Sequence, residues 1–141
     1  IRVYIKYQAD ELNIPFESAN KIVDLATLGT VTAMLGNVYA GLFSNDEKLT
    51  KMLVSAGEKS GEKLWHLPLD DGYDKMMKSE LADIKNITTQ PARLTAVAFL
   101  NKFVETDTNW AHIDITGMKS DKTGLSSGFG VKLLNEVMKG L

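Results

Sequence analysis

The chain contains no cysteine and only two histidines among its 141 residues. The lack of cysteine excludes disulfide bonds, zinc ribbons and thiol catalysis. The apolar runs are too short to span a bilayer, and the chain does not begin with the charged and apolar regions of a signal peptide. We therefore expect a soluble, cytoplasmic protein that does not enter a membrane. Because Ile1 is not a translation start, we also expect sequence upstream of it.

The chain also lacks an excess of charge of either sign. Its formal net charge is -2, which predicts no broad electropositive surface, so nucleic acid is not expected as a partner. At 141 residues it is long enough for one domain with a buried core, but short for a complete two-domain enzyme. One compact unit is the default expectation.

Five segments have the apolar pattern and length of β-strands. They are Arg2 to Tyr7, Ile22 to Leu25, Val38 to Phe43, Leu64 to Leu69 and Trp110 to Ile115. The apolar stretch from Val31 to Gly36 fits a helix or a strand, and its pattern leaves both open.

Four segments have the periodicity of amphipathic helices. For the first, Ser44 and Glu47 form a predicted capping box ahead of Leu49 to Ala56. The others are Tyr73 to Leu81, Leu94 to Phe103 and Val131 to Leu141. Strands that alternate with helices predict a layered α/β domain.

Two polar side chains share one face of the last predicted strand. The period of two places His112 and Asp114 on the same side, where they could share a metal ion or a proton. A metal needs a third ligand, and the other histidine, His66, is distant in sequence. Hydrogen bonding to neighbouring strands is therefore the favoured interpretation. We assign no metal ligand and no catalytic residue.

Other clusters have structural explanations. The acidic residues near the predicted second helix suit its dipole: Asp70, Asp71, Asp74, Glu80 and Asp83. The glycines of the last loop lack the Lys-Ser/Thr sequence of a phosphate-binding loop: Gly124, Gly128 and Gly130. Ser126 and Ser127 are predicted to cap the final helix. The strand end Thr27-Leu28-Gly29 could offer backbone groups to an extended peptide, although the residues alone favour an ordinary turn.

Six segments, in order, resemble the leucyl aminopeptidase family. They are similar to its motifs D-L-A-T-L-T-G, A-G-L-F-S-N-D, G-E-x-L-W-x-L-P-L, M-x-S-x-x-A-D-x-x-N, W-A-H-x-D-I-A-G and T-G-F-G-V-R-L-L. The corresponding residues are Val23 to Leu28, Gly41 to Asp46, Gly61 to Leu69, Met77 to Asn86, Trp110 to Gly117 and Ser127 to Leu134. The resemblance implies that residues 21–141 form the C-terminal part of a catalytic domain with a mixed β-sheet between α-helices. Residues 1–20 stay unassigned.

The resemblance also implies a function. Members of the family are hexameric exopeptidases that release N-terminal amino acids from peptides with two divalent metal ions, typically zinc or manganese. By the same resemblance, Thr27 and Leu28 would offer backbone groups to the peptide substrate, and Gly29 would complete their turn. Thr116 would lie in the pocket for the N-terminal side chain.

The chain departs from the family in its chemistry. The two metal-binding motifs, K-G-[VI]-x-[FY]-D-[ST]-G-G and N-T-D-A-E-G-R, do not occur in it. We therefore expect the chain alone to be inactive. Two explanations stay open: a partial representation of an active enzyme, which we favour, or a degenerate non-catalytic relative that binds peptides or serves assembly.

Smaller departures lie near the expected active-site side. The second Thr of A-T-L-T-G is missing between Leu28 and Gly29, and Thr116 replaces the usual Ala. Thr88 to Arg93 replaces a glycine-containing loop, and the loop Lys119 to Gly128 is shorter than is common. A hydroxyl at position 116 needs a hydrogen-bond partner and is expected to alter side-chain preference.

Overall fold

Four strands form one mixed sheet in a computed structural model that describes residues 21–29, 31–86, 92–120 and 123–139. The strands are β1 (Lys21–Ala26), β2 (Ala40–Ser44), β3 (Leu64–His66) and β4 (Asn109–Asp114). Their order in the sheet is β1-β4-β2-β3. β1 runs parallel to β4, β4 antiparallel to β2, and β2 parallel to β3. The predicted mixed α/β architecture is confirmed.

Helices connect the strands. They are α1 (Thr32–Leu35), α2 (Glu47–Ser60), α3 (Ala92–Asn101) and α4 (Val131–Lys139), with 3-10 helices at Asp71–Met77 and Thr116–Met118. The stretch after Val31, which the sequence left open, is thus helical. Among the described residues, no helix combines the length and apolar character needed to cross a membrane.

The alternation of side chains along the strands divides the core into two clusters. On one face of the sheet, Leu42 and Ile113 pack with buried residues of α2 and α4. On the other face, Phe43 and Trp110 pack with Val97 of α3. The sheet therefore lies between two layers of helices. Polar side chains on its α3 face need hydrogen-bond partners there.

The start of α2 differs from the predicted capping box. Asp46, not Ser44, caps the helix, because its Oδ1 accepts a hydrogen bond from Leu49 N at 2.6 Å. The Ser44 hydroxyl instead donates to the Trp110 carbonyl across the sheet at 2.7 Å. Glu47 pairs with Lys51, whose hydrogen bond and positive charge lower the pKa of the Glu47 carboxyl below its ordinary value.

The start of α4 is capped from a distant part of the chain. Glu62 Oε2 accepts hydrogen bonds from Gly130 N at 3.0 Å and Leu133 N at 2.8 Å. Its carboxyl group thus lies where the helix dipole favours negative charge. Ser127 was predicted for this role, but its hydroxyl donates to the Met118 carbonyl and accepts from Phe129 N. Glu62 therefore holds α4 against the segment that leads into β3.

Several predicted bounds also change. The strand predicted from Leu64 ends at His66, two residues before Pro68. The predicted second helix is the 3-10 helix Asp71–Met77, and it ends before Leu81, which is 98% exposed. The predicted strand Arg2 to Tyr7, the segment 87–91 and Leu141 lie outside the described residues.

Leu53 gives a direct test of the core on the α2 face. Its side chain is fully buried, so Leu53→Ala is expected to lower the free energy of unfolding by about 2–5 kcal/mol through lost burial and a residual cavity. Leu81→Ala removes the same atoms from an exposed site and is expected to change it by less than about 0.5 kcal/mol. Urea unfolding followed by circular dichroism measures both. Equal effects of the two variants would contradict the assigned packing.

Candidate functional site

Two parallel strands end at the same edge of the sheet. Ala26, the last residue of β1, pairs with Asp114, the last residue of β4, and the Ala26 carbonyl accepts a further hydrogen bond from Ile115 N at 3.0 Å. In α/β sheets the carboxyl ends of parallel strands form the edge at which ligands bind. The turn Thr27-Leu28-Gly29 and Thr116 both follow directly from this edge. Residues far apart in sequence thus become neighbours.

A buried carboxyl group joins these two segments. Asp114 is 1% exposed, and its Oδ1 accepts hydrogen bonds from Thr116 Oγ1 at 2.6 Å, Thr116 N at 3.0 Å and Gly29 N at 3.3 Å. Gly29 N also donates to Thr116 Oγ1 at 2.6 Å. We call Gly29, Asp114 and Thr116 the Asp114 junction. It supplies the partner that the Thr116 hydroxyl requires.

The turn beside the junction has an open surface. Gly29 has a φ of +83°, a left-handed conformation that glycine adopts without strain, and apart from its chain neighbours no atom of the described residues lies within 4 Å of the position a Cβ would take. Thr27 is exposed and Leu28 is half-buried. Of the four residues expected at the substrate, Gly29 and Thr116 therefore touch each other, while Thr27 and Leu28 lie on the accessible side of the same turn.

An apolar cleft of about 330 Å³ runs from this turn along β1. It is lined by Ile22, Asp24, Ala26, Leu28, Leu100, Phe103, Val104 and Trp110. Its walls come from the α3 face of β1 and from the end of α3. Leu28 therefore connects the turn to a sheltered apolar surface.

The sequence did not predict the polar cluster at the floor of this cleft. Asp24 Oδ2 accepts a hydrogen bond from Trp110 Nε1 at 2.6 Å, and Asp24 Oδ1 lies 2.5 Å from His112 Nδ1. The rings of Trp110 and His112 are stacked, with centroids 6.2 Å apart. His112 is fully buried, and within the described part of the chain its Nε2 has no hydrogen-bond partner.

This cluster decides between the two interpretations of His112 and Asp114 that the sequence allowed. His112 and Asp114 do share a face of β4, but His112 pairs with Asp24 of β1, whereas Asp114 binds Thr116 and Gly29. The favoured expectation, hydrogen bonding to neighbouring strands, is the one the geometry matches. A polar residue at position 24 in an apolar strand was the available signal, but its partner depends on the register between β1 and β4.

A second cleft, of about 270 Å³, lies on the other side of the 3-10 helix Thr116–Met118. It is lined by Asn37, Glu62, Gly117, Met118, Ser120, Ser127 and Phe129. Gly117 is required here, because a Cβ would lie 2.0 Å from the Gly36 carbonyl oxygen. A side chain at position 117 would therefore push this 3-10 helix away from Gly36.

The acidic residues after β3 have structural roles. Asp70 caps the 3-10 helix by accepting from Gly72 N at 2.7 Å, and Asp74 pairs with Lys102 at the end of α3. These contacts fit the structural interpretation of that cluster.

Asp24→Ala tests the polar cluster. The variant removes both acceptor oxygens, so Trp110 Nε1 and His112 Nδ1 lose their buried partner. We expect a loss of about 1–3 kcal/mol in the free energy of unfolding, the usual effect of an unsatisfied buried group. The control Asp107→Ala lies at an exposed position and should change it by less than about 0.5 kcal/mol. Chemical unfolding monitored by tryptophan fluorescence compares them, and a neutral Asp24→Ala would refute the pairing.

Comparisons with known proteins show the family of the chain. The model of the cytosol aminopeptidase family, catalytic domain, matches residues 8–135. A probable cytosol aminopeptidase of Chlorobaculum tepidum is 49% identical over 126 residues, which cover 84% of this chain and 25% of the relative. A probable cytosol aminopeptidase of Chloroherpeton thalassium is 45% identical over 140 residues, which cover 93% of this chain and 28% of the relative.

A solved structure shows the same fold. A mutant of tomato leucine aminopeptidase superposes with a TM-score of 0.83 at 34% sequence identity, over 95% of this chain and 26% of the tomato chain. The chain thus spans about a quarter of the length of the relatives it matches. With the family model matching residues 8–135, the chain belongs to the cytosol aminopeptidase family.

Proposed function

We propose that this chain forms the peptide-binding edge of a metalloaminopeptidase that releases N-terminal amino acids from peptides. The Asp114 junction is the observation that carries the proposal, because it brings the turn Thr27-Leu28-Gly29 and Thr116 together at the carboxyl ends of β1 and β4. Membership of the cytosol aminopeptidase family supports this class of substrate.

In this proposal the peptide lies along the turn. Extended peptides are bound through main-chain hydrogen bonds, and Thr27, an exposed residue, lies on the turn where the peptide would bind. Leu28 borders the apolar cleft, so apolar groups of the ligand can pack beside it. Thr116 lies next to Gly29, where the side chain of the first peptide residue is held.

The family is one of metallopeptidases, and the resemblance of this chain to it implies two divalent ions, zinc or manganese. The described residues do not fit such a centre: no group of three or more His, Asp or Glu side chains among them could hold a metal ion. His112 Nδ1 is paired with Asp24, and Asp114 Oδ1 receives three donors. We therefore derive no step through a metal and assign no catalytic residue.

The remaining features follow from the same proposal. Residues 21–141 are the C-terminal portion of the catalytic domain, and the chain represents part of an enzyme whose metal ligands lie outside these residues. The names of the relatives support a cytosolic location. A homo-oligomer, a hexamer in the family, is proposed on the resemblance alone.

A segment exchange tests the proposal. In the Chlorobaculum tepidum relative, the matching 126-residue stretch is replaced by the corresponding stretch of this chain. We expect the purified, manganese-loaded or zinc-loaded chimera to release leucine from a leucyl peptide, and the 141-residue chain alone to release none. The unaltered relative is the positive control, and circular dichroism and light scattering check the fold and assembly of each protein.

Each outcome of this experiment decides something. A folded, metal-loaded chimera without activity would contradict the enzyme proposal and favour a non-catalytic peptide-binding or assembly protein. Activity of the 141-residue chain alone would overturn the statement that the metal ligands lie elsewhere. If the long exchange does not fold, a second chimera that carries only residues 21–29 and 109–118 provides the same comparison.

A further inference from the structure

One hydrogen bond joins the turn after β1 to the segment after β4. Gly29 and Thr116 are 87 residues apart, yet Gly29 N lies 2.6 Å from Thr116 Oγ1. The Thr116 hydroxyl therefore contacts the turn Thr27-Leu28-Gly29 at its last residue.

The single hydrogen of this hydroxyl is donated to another group of the protein. A threonine hydroxyl has one hydrogen to donate, and the hydrogen of Thr116 Oγ1 goes to Asp114 Oδ1 at 2.6 Å. The same oxygen accepts the Gly29 amide hydrogen. Thr116 thus bridges the turn after β1 and the buried carboxyl group at the end of β4.

The second acceptor of the Gly29 amide is weaker. Asp114 Oδ1 lies 3.3 Å from Gly29 N, compared with 2.6 Å for the Thr116 hydroxyl. Without the hydroxyl, the amide would keep only this longer contact, and Asp114 would lose its shortest donor within the junction.

We propose that Thr116 is a positioning residue whose hydroxyl fixes the turn Thr27-Leu28-Gly29 against Asp114. This inference rests on the proposed function, since the turn it fixes is the proposed peptide-binding turn. The Gly29 amide is engaged within the protein and is not a donor to the peptide. The peptide is instead held by the backbone of Thr27 and Leu28, in a position that the Thr116 hydroxyl sets.

Hydrogen exchange of the Gly29 amide tests the bridge in the full chain, independently of any activity. Thr116→Val replaces the hydroxyl by a methyl group of similar size and is expected to speed exchange of this amide about tenfold, as the loss of one hydrogen bond predicts. Thr116→Ser keeps the hydroxyl and should restore slow exchange. Thr106→Val, at an exposed position, is the matched control and should leave Gly29 unchanged. Wild-type exchange at Gly29 in Thr116→Val would overturn the bridge.

The active chimera supplies the functional readout. There Thr116→Val should raise KM for a leucyl peptide about tenfold and affect kcat less, because a misplaced turn weakens peptide binding, and Thr116→Ser should rescue KM. A change in kcat alone, or no change, would overturn the positioning role. If the wild-type chimera is inactive, the proposed function fails, while the exchange of the Gly29 amide still decides whether the bridge exists.

Discussion

The seam between β1 and β4 is held by two buried carboxyl groups, and the candidate site depends on it. Asp24 reaches from β1 to Trp110 and His112 of β4, while Asp114 reaches from β4 to Gly29 beyond β1. Buried carboxyl groups are destabilising unless they receive hydrogen bonds, so each one favours a single alignment of the two strands. A slip by one residue would move both groups to the wrong face. The seam therefore sets which residues meet at the edge of the sheet.

The mixed topology restricts the site to one edge. β1 and β4 are parallel and end at the same edge of the sheet. β2 runs antiparallel to β4, and β3 runs parallel to β2. The carboxyl ends of β2 and β3 consequently lie at the opposite edge. The carboxyl ends of β1 and β4 therefore meet at the edge of the site, where β2 begins beside Asp114. The cleft along β1 opens beside this same edge, at Leu28.

The strands and the main helices were predictable because their apolar periodicity reflects burial on one face. The helix caps were not predictable, because a local pattern cannot show whether a distant residue binds the same side chain. Ser44 has the right spacing for a capping box, but the Trp110 carbonyl binds its hydroxyl. Glu62 likewise caps α4 across 68 residues of sequence. The pairing of Asp24 with His112 depends on strand register, which neither segment encodes alone. The grouping of Gly29 with Thr116 was expected from family resemblance, not from the residues.

The inward direction of the Thr116 hydroxyl also bears on the chemistry of the pocket. From the sequence, a threonine there was expected to make an apolar pocket more polar and to shift its side-chain preference. In the structure its only hydrogen is donated to Asp114, so a ligand that carries an acceptor, such as a carboxylate, finds no donor at this position. In the proposed function, an aliphatic first residue of the peptide needs no donor at this position, so the Thr116 hydroxyl leaves apolar side chains without an unmet hydrogen bond.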